Sequence, residues 1–78
     1  MHPSEIVRVE AYLRRVLDSE RIRIAAPRRR DAPVEVHAAQ EFIGTLHRDV
    51  EDGEVAYSLY ITILEDDLPP YPIRKRVP

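Results

Sequence analysis

Cysteine is missing from this 78-residue chain, which removes disulfides and thiolate nucleophiles and leaves the redox compartment unread; nothing argues for export. Long apolar runs are missing too. The opening MHPSEIVRVEAYLRRVLDSE is broken by charge every two or three residues, so it holds neither a signal-peptide core nor a membrane span, and a cytoplasmic protein is expected. The three histidines, His2, His37 and His47, lack the close spacing with Cys or carboxylate partners that metal sites show. Asp49, Glu51 and Gly53 supply a fragment of a calcium loop inside a hairpin, which is an ordinary charged tip. No cofactor, membrane association or small-molecule substrate follows. Catalysis needs a nucleophile beside a base within a pocket. Ser58 opposite His47 on an open sheet face, with neither an orienting acid nor an oxyanion hole, does not supply one, so the protein is read as non-enzymatic.

What is present is one small domain with segregated charge. The net charge is −2, yet residues 8–30 hold eight Arg against three acids and residues 40–67 hold one Arg against eight. Each pole can steer a different partner, although solvated faces are the ordinary use of such charge. A chain of this length buries only about 60% of its unfolded surface, so its core is thin and its stability marginal without a partner.

Pro3-Ser4-Glu5 opens a helix, with Ser4 as its N-cap or Pro3 at its first position. Ile6, Val9, Leu13, Val16 and Leu17 recur at three- and four-residue steps, one apolar stripe. Arg8, Arg14, Arg15 and Asp18 fall off that stripe into water, with Glu10 near its edge and Tyr12 on the other margin. Arg21–Ile24 alternates as a first strand until Pro27 stops it, and Val34–Ala38 is the second.

The strongest pattern runs from Phe42 to Leu64. Val55, Tyr57, Leu59, Ile61 and Ile63 alternate with small or polar residues, behind an Asp52-Gly53 hairpin signal. A two-residue turn there pairs Val50 with Val55, Leu46 with Leu59, Phe42 with Ile63 and Gly44 with Ile61. A three-residue turn instead turns Ile43, Thr45 and His47 inward. A two-residue turn at Ala39-Gln40 pairs Val36 with Ile43 rather than Phe42, so one connection is longer or bulged. The fold is therefore α+β: one amphipathic N-terminal helix on a four-stranded, mainly antiparallel sheet over residues 1–67, its strand order open. Residues 68–78, LPPYPIRKRVP, are expected to form an extended or flexible basic Pro-rich tail.

Three surfaces are candidates for function. On the outward sheet face, Ile43, Tyr60 and Leu64 make an apolar patch of the kind that marks protein contacts or edge pairing between chains. In the tail, Pro69–Arg74 fits P-x-x-P-x-R, with Tyr71 and Arg74 as the contact residues. The alternative is phosphate binding through Arg21, Arg23, Arg28, Arg29 and Arg30. Helix-then-strands echoes part of a double-stranded-RNA-binding module. The second helix, a basic whole-chain charge and an aromatic stacking pair on a basic strand are all missing.

The chain resembles a family of small alphaproteobacterial proteins catalogued as a domain of unknown function. The resemblance covers about residues 3–67, through Pro3-Ser4-Glu5-Ile6, Glu41-Phe42-Ile43-Gly44 and Glu51-Asp52-Gly53-Glu54. These mark a helix start, a close-packed glycine and a hairpin turn, and they imply no activity or site residue. Where the family leads us to expect Gly-Asp, this chain has Ala39-Gln40. A non-catalytic protein-interaction module is the expected function, with a protein partner or a second copy, and nucleic acid as the alternative.

Overall fold

Pro3 occupies the first helical position of α1 (Pro3–Val16), and His2, not Ser4, is its N-cap. The His2 ring Nδ1 accepts from the Ser4 amide at 3.1 Å, and the Glu5 carboxylate accepts from the His2 amide at 2.9 Å. These reciprocal bonds satisfy donors that a helix start leaves orphaned. The helix ends in a Schellman arrangement: Ser19 N–H donates to the Arg14 carbonyl and Asp18 N–H to the Arg15 carbonyl, with Asp18 left-handed at φ 52°. That early stop leaves Val16 and Leu17 exposed, so the apolar stripe that works is Ile6, Val9 and Leu13.

In the computed structural model, which describes residues 1–27, 29 and 32–70, four strands follow. They are β1 (Ile22–Ala25), β2 (Val34–Ala38), β3 (Glu41–Glu51) and β4 (Glu54–Ile61), with a 3-10 turn at Glu65–Asp67. They form one antiparallel meander in the order β1-β2-β3-β4, with α1 on one face. The α+β architecture expected from the sequence is the one observed.

The register question resolves in favour of two tight turns and one bulge. Ala39-Gln40 and Asp52-Gly53 are both two-residue connections, and all four residues have positive φ. Val50 pairs with Val55, Leu46 with Leu59 and Gly44 with Ile61, as the two-residue turn requires. His37 pairs with Phe42 and Val36 with Gly44, so Ile43 is the extra residue. The bulge turns Phe42 to the outer face, where its ring meets that of His37 edge-on at 5.8 Å. Phe42 therefore has no partner in β4, which ends at Ile61 and leaves Ile63 and Leu64 outside the sheet. Gly44 makes the bulge feasible: a Cβ there would collide with the Tyr60 carbonyl on β4, not with the helix.

The core sits on the early strands. Ile22, Ile24, Val34, Val36 and Leu46 are buried, with Ile6, Val9, Leu13, Ile43, Tyr57 and Leu59 half-buried around them. Each fully covered side chain contributes roughly 1.5–3 kcal/mol. The hairpin with the clearest alternation thus supplies one fully buried side chain, Leu46, while Val50, Val55 and Ile61 on its helix-side face stay largely uncovered.

Candidate functional site

The two sheet edges are built differently. In β1 the odd residues bond toward β2, as Ala39 N–H to the Arg21 carbonyl shows, so Ile22 and Ile24 turn their backbone groups outward. One turn of α1 meets them. Ile24 N–H donates to Glu10 Oε2 at 2.9 Å, and Arg14 Nε donates to the Ile22 carbonyl at 2.9 Å. Arg14 Nη2, which is buried and outside hydrogen-bond geometry, lies 3.1 Å from Glu10 Oε1 as an ion pair. An acceptor and a donor four residues apart on a helix here stand in for the neighbouring strand that β1 lacks. Arg14 is thus half-buried and engaged with the backbone, where the sequence placed it in water.

A second polar cluster ties the helix start to the late hairpin. Arg48 and Tyr57 are register partners on the helix-side face, and both reach Glu5. Arg48 Nε donates to Glu5 Oε2 at 2.6 Å, and the Tyr57 hydroxyl donates a short hydrogen bond to the same oxygen. These donors hold the Glu5 carboxyl down to about 2, the Tyr57 hydroxyl first, then the His2 amide, then Arg48. The same carboxylate raises Tyr57 and Arg48 above their ordinary ranges. Every charge in the cluster is matched, so it reads as a latch rather than as a reactive centre.

Beyond that latch lies β4, the other edge. Its hairpin begins with Glu51 paired to Glu54, which turns Glu54, Ala56, Ser58 and Tyr60 toward β3. The amides and carbonyls of Val55, Tyr57, Leu59 and Ile61 therefore line the free edge. Beside it runs a groove of about 390 Å³, between Val9, Tyr12 and Leu13 of α1 and Val55, Tyr57 and Leu59 of β4. Its lining is mainly apolar, with Glu5 and Arg8 as its charged residues.

Residues 5–67 match the family described as Protein of unknown function (DUF3126). The chain belongs to that family. No curated protein and no solved structure matches the chain significantly. The DUF3126 region spans α1 from Glu5 onward, the whole sheet and the 3-10 turn, so both edges, the groove and the Glu5, Arg48 and Tyr57 side chains of the latch lie inside it. The expected span of 3–67 agrees with the matched one almost residue for residue.

Within this DUF3126 domain the three outward-face candidates do not come together. Tyr60 is 58% exposed on the outer face and meets the His47 ring edge-on at 4.9 Å. Ile43 is drawn by the bulge onto the core cluster, and Leu64 is exposed beyond the end of β4. Phe42, expected inward, joins the outer face instead. Arg21 and Arg23 are exposed on and beside β1, and Arg29 is exposed in the following loop. Arg28, Arg30, Tyr71 and Arg74 lie outside the described residues. His47 and Ser58 are register partners, yet Ser58 Oγ donates to Asp49 Oδ2 at 3.2 Å and His47 Nε2 lies 3.0 Å from Thr45 Oγ1. The described residues include no cluster of three or more His, Cys, Asp or Glu able to hold a metal ion. They also include no helix long and apolar enough to cross a membrane.

Sequence reasoning missed Glu5, Glu10 and Arg14 as structural ligands of the backbone and hairpin. The signals were there in part. Glu5 follows the helix start at the capping-box position, and Glu10 and Arg14 are an acid–base pair at i, i+4 beside the apolar stripe. Arg48 and Tyr57 are two long polar side chains at one register level on the covered face, which asks for a partner from the helix.

Proposed function

We propose that the protein is a non-catalytic interaction module whose contact surface is the β4 edge and the groove beside it. One observation carries the reading: an eight-residue edge strand offers four residues' worth of free backbone groups, and its run Val55–Leu64 contains no charge, glycine or proline. Edge strands without such blunting are templates for pairing with another chain. The P-x-x-P-x-R segment, with Tyr71 and Arg74, adds a second contact point to this proposal. Cytoplasmic residence and an alphaproteobacterial source belong to it as well.

The test is affinity capture with the full chain, a version ending at Asp67 and the edge variant Val55→Lys/Ile61→Lys. Each is run with nuclease and at low and high salt. Protein partners that survive nuclease and are lost with the edge variant are expected. Loss with the truncated version instead moves the site to the tail. Recovery of nucleic acid that falls away steeply with salt overturns the reading and promotes Arg21, Arg23 and Arg28 to Arg30.

A further inference from the structure

We infer that the partner for the β4 edge is a second copy of this chain, paired antiparallel through β4 about a two-fold axis at Ser58. The inference deepens the reading above and rests on it.

The strand's own sequence is the argument. A two-fold interface brings one surface against itself, so the surface must be self-complementary. Antiparallel pairing of β4 with itself keeps faces matched and backbone bonds in phase when odd positions meet odd positions. Centred on Ser58, this sets Tyr57 opposite the partner's Leu59 and Val55 opposite the partner's Ile61 on the helix side. On the outer side Ala56 meets the partner's Tyr60, a small residue against a large one. Glu54, the one charged residue of β4, falls opposite the partner's Thr62, so no like charges are set against each other across the strand pair.

Side-chain exposure agrees. Val55 is 45% and Ile61 50% exposed because α1 covers the β1 half of the sheet, and this register places each beside the other's counterpart. Val50, next to Val55 in β3, continues the stripe.

The experiment is sedimentation of the full chain across a wide concentration range, alongside amide exchange followed by NMR. The wild type is expected to dimerise. Its Val55, Tyr57, Leu59 and Ile61 amides should exchange at least ~10-fold more slowly at dimer concentrations than at monomer concentrations, while those of Ala56, Ser58 and Tyr60 are protected in both. Val55→Lys/Ile61→Lys is expected to be monomeric, and Val7→Lys, on the exposed helix face, to dimerise normally. Should the double variant fail to fold by circular dichroism, the wild-type exchange pattern decides alone. A wild type that stays monomeric overturns the second copy. So does a dimer whose four outward amides exchange at the same rate in both states. If edge-dependent capture of another protein persists in a monomeric wild type, the β4 contact surface stands and its occupant is a different chain. Capture indifferent to the edge variant removes the surface itself.

Discussion

β1 and β4 are the two ends of one sheet, and they are finished in opposite ways. At β1 the outward backbone groups of Ile22 and Ile24 are taken by Glu10 and Arg14. At β4 the corresponding groups of Val55, Tyr57, Leu59 and Ile61 face outward beside an open groove. The guard at β1 uses two side chains of a helix that also supplies the core, so closing an edge requires no extra element. A helix of fourteen residues lying over the β1 side does not reach the far edge, and its one hydrogen-bonded tie to β4 among the described residues is the Glu5–Tyr57 latch. In this four-stranded sheet with a single helix, one edge is guarded and the other is left open.

The largest expected effect comes from Gly44→Ala. Its methyl group would strike the Tyr60 carbonyl, a backbone atom that cannot rotate away, so β4 must separate from β3 there. We expect a loss of about 3 kcal/mol or more in urea denaturation, with β4 amides losing protection before those of β1 and β2. Unchanged stability would show that the strands can part at the bulge without cost. Next is Glu10→Ala, which removes half of the β1 guard, leaving the Ile24 amide without its acceptor and the Arg14 guanidinium without its ion-pair partner. A loss of about 1–3 kcal/mol is expected, together with concentration-dependent scattering as a second edge opens. Glu10→Gln keeps an acceptor and should recover most of the amide bond. If it costs as much as alanine, the ion pair and not the edge bond is what matters.

The same comparison shows what the sequence reveals and where it stops. Period-two alternation placed β1 and β2 to within a residue and gave the β3–β4 register, because alternation reports which face is covered. It could not rank the strands by burial. Val55, Ile61 and Ile63 alternate as cleanly as Ile22 and Ile24, but burial depends on where one helix lies, and that is set by Glu5, Glu10 and Arg14 finding backbone and hairpin partners far along the chain. The bulge at Ile43 was legible as a conflict between two turn registers. Its position was not, since it depends on the close approach of Gly44 to Tyr60. Of the candidate surface, Tyr60 is exposed where alternation placed it; Ile43 and Leu64 moved because the bulge and the early end of β4 act on position and not on pattern.

The two hairpin tips sharpen the comparison at a smaller scale. Asp52-Gly53 suits a turn with positive φ at both central residues, whereas Ala39 at 53° and Gln40 at 69° pay the left-handed penalty of an ordinary side chain. Ala39→Asn with Gln40→Gly should therefore stabilise the protein by about 1–2 kcal/mol, read as a higher urea midpoint with an unchanged slope. No gain would mean that β1–β2–β3 packing, and not the turn, sets the energy of that tip.

The smallest effect is the most specific, because it separates the latch from every other carboxylate. Glu5 titrates near 4.5 when free of partners and at about 2 in the folded chain. A depressed folded value means that its contribution is complete above 4.5 and is lost as pH falls toward about 2, where the folded group also takes up its proton. Tyr57→Phe removes the first cause of that depression, so the folded value rises and the loss over this window becomes shallower. The check is the urea midpoint followed from neutral to acid pH in wild type, Tyr57→Phe and Glu5→Gln. Both variants should lose less over the acid range than the wild type does. Three parallel curves would mean that α1 is not tied to the β4 side through Glu5, and the helix would then be anchored at the guarded edge alone.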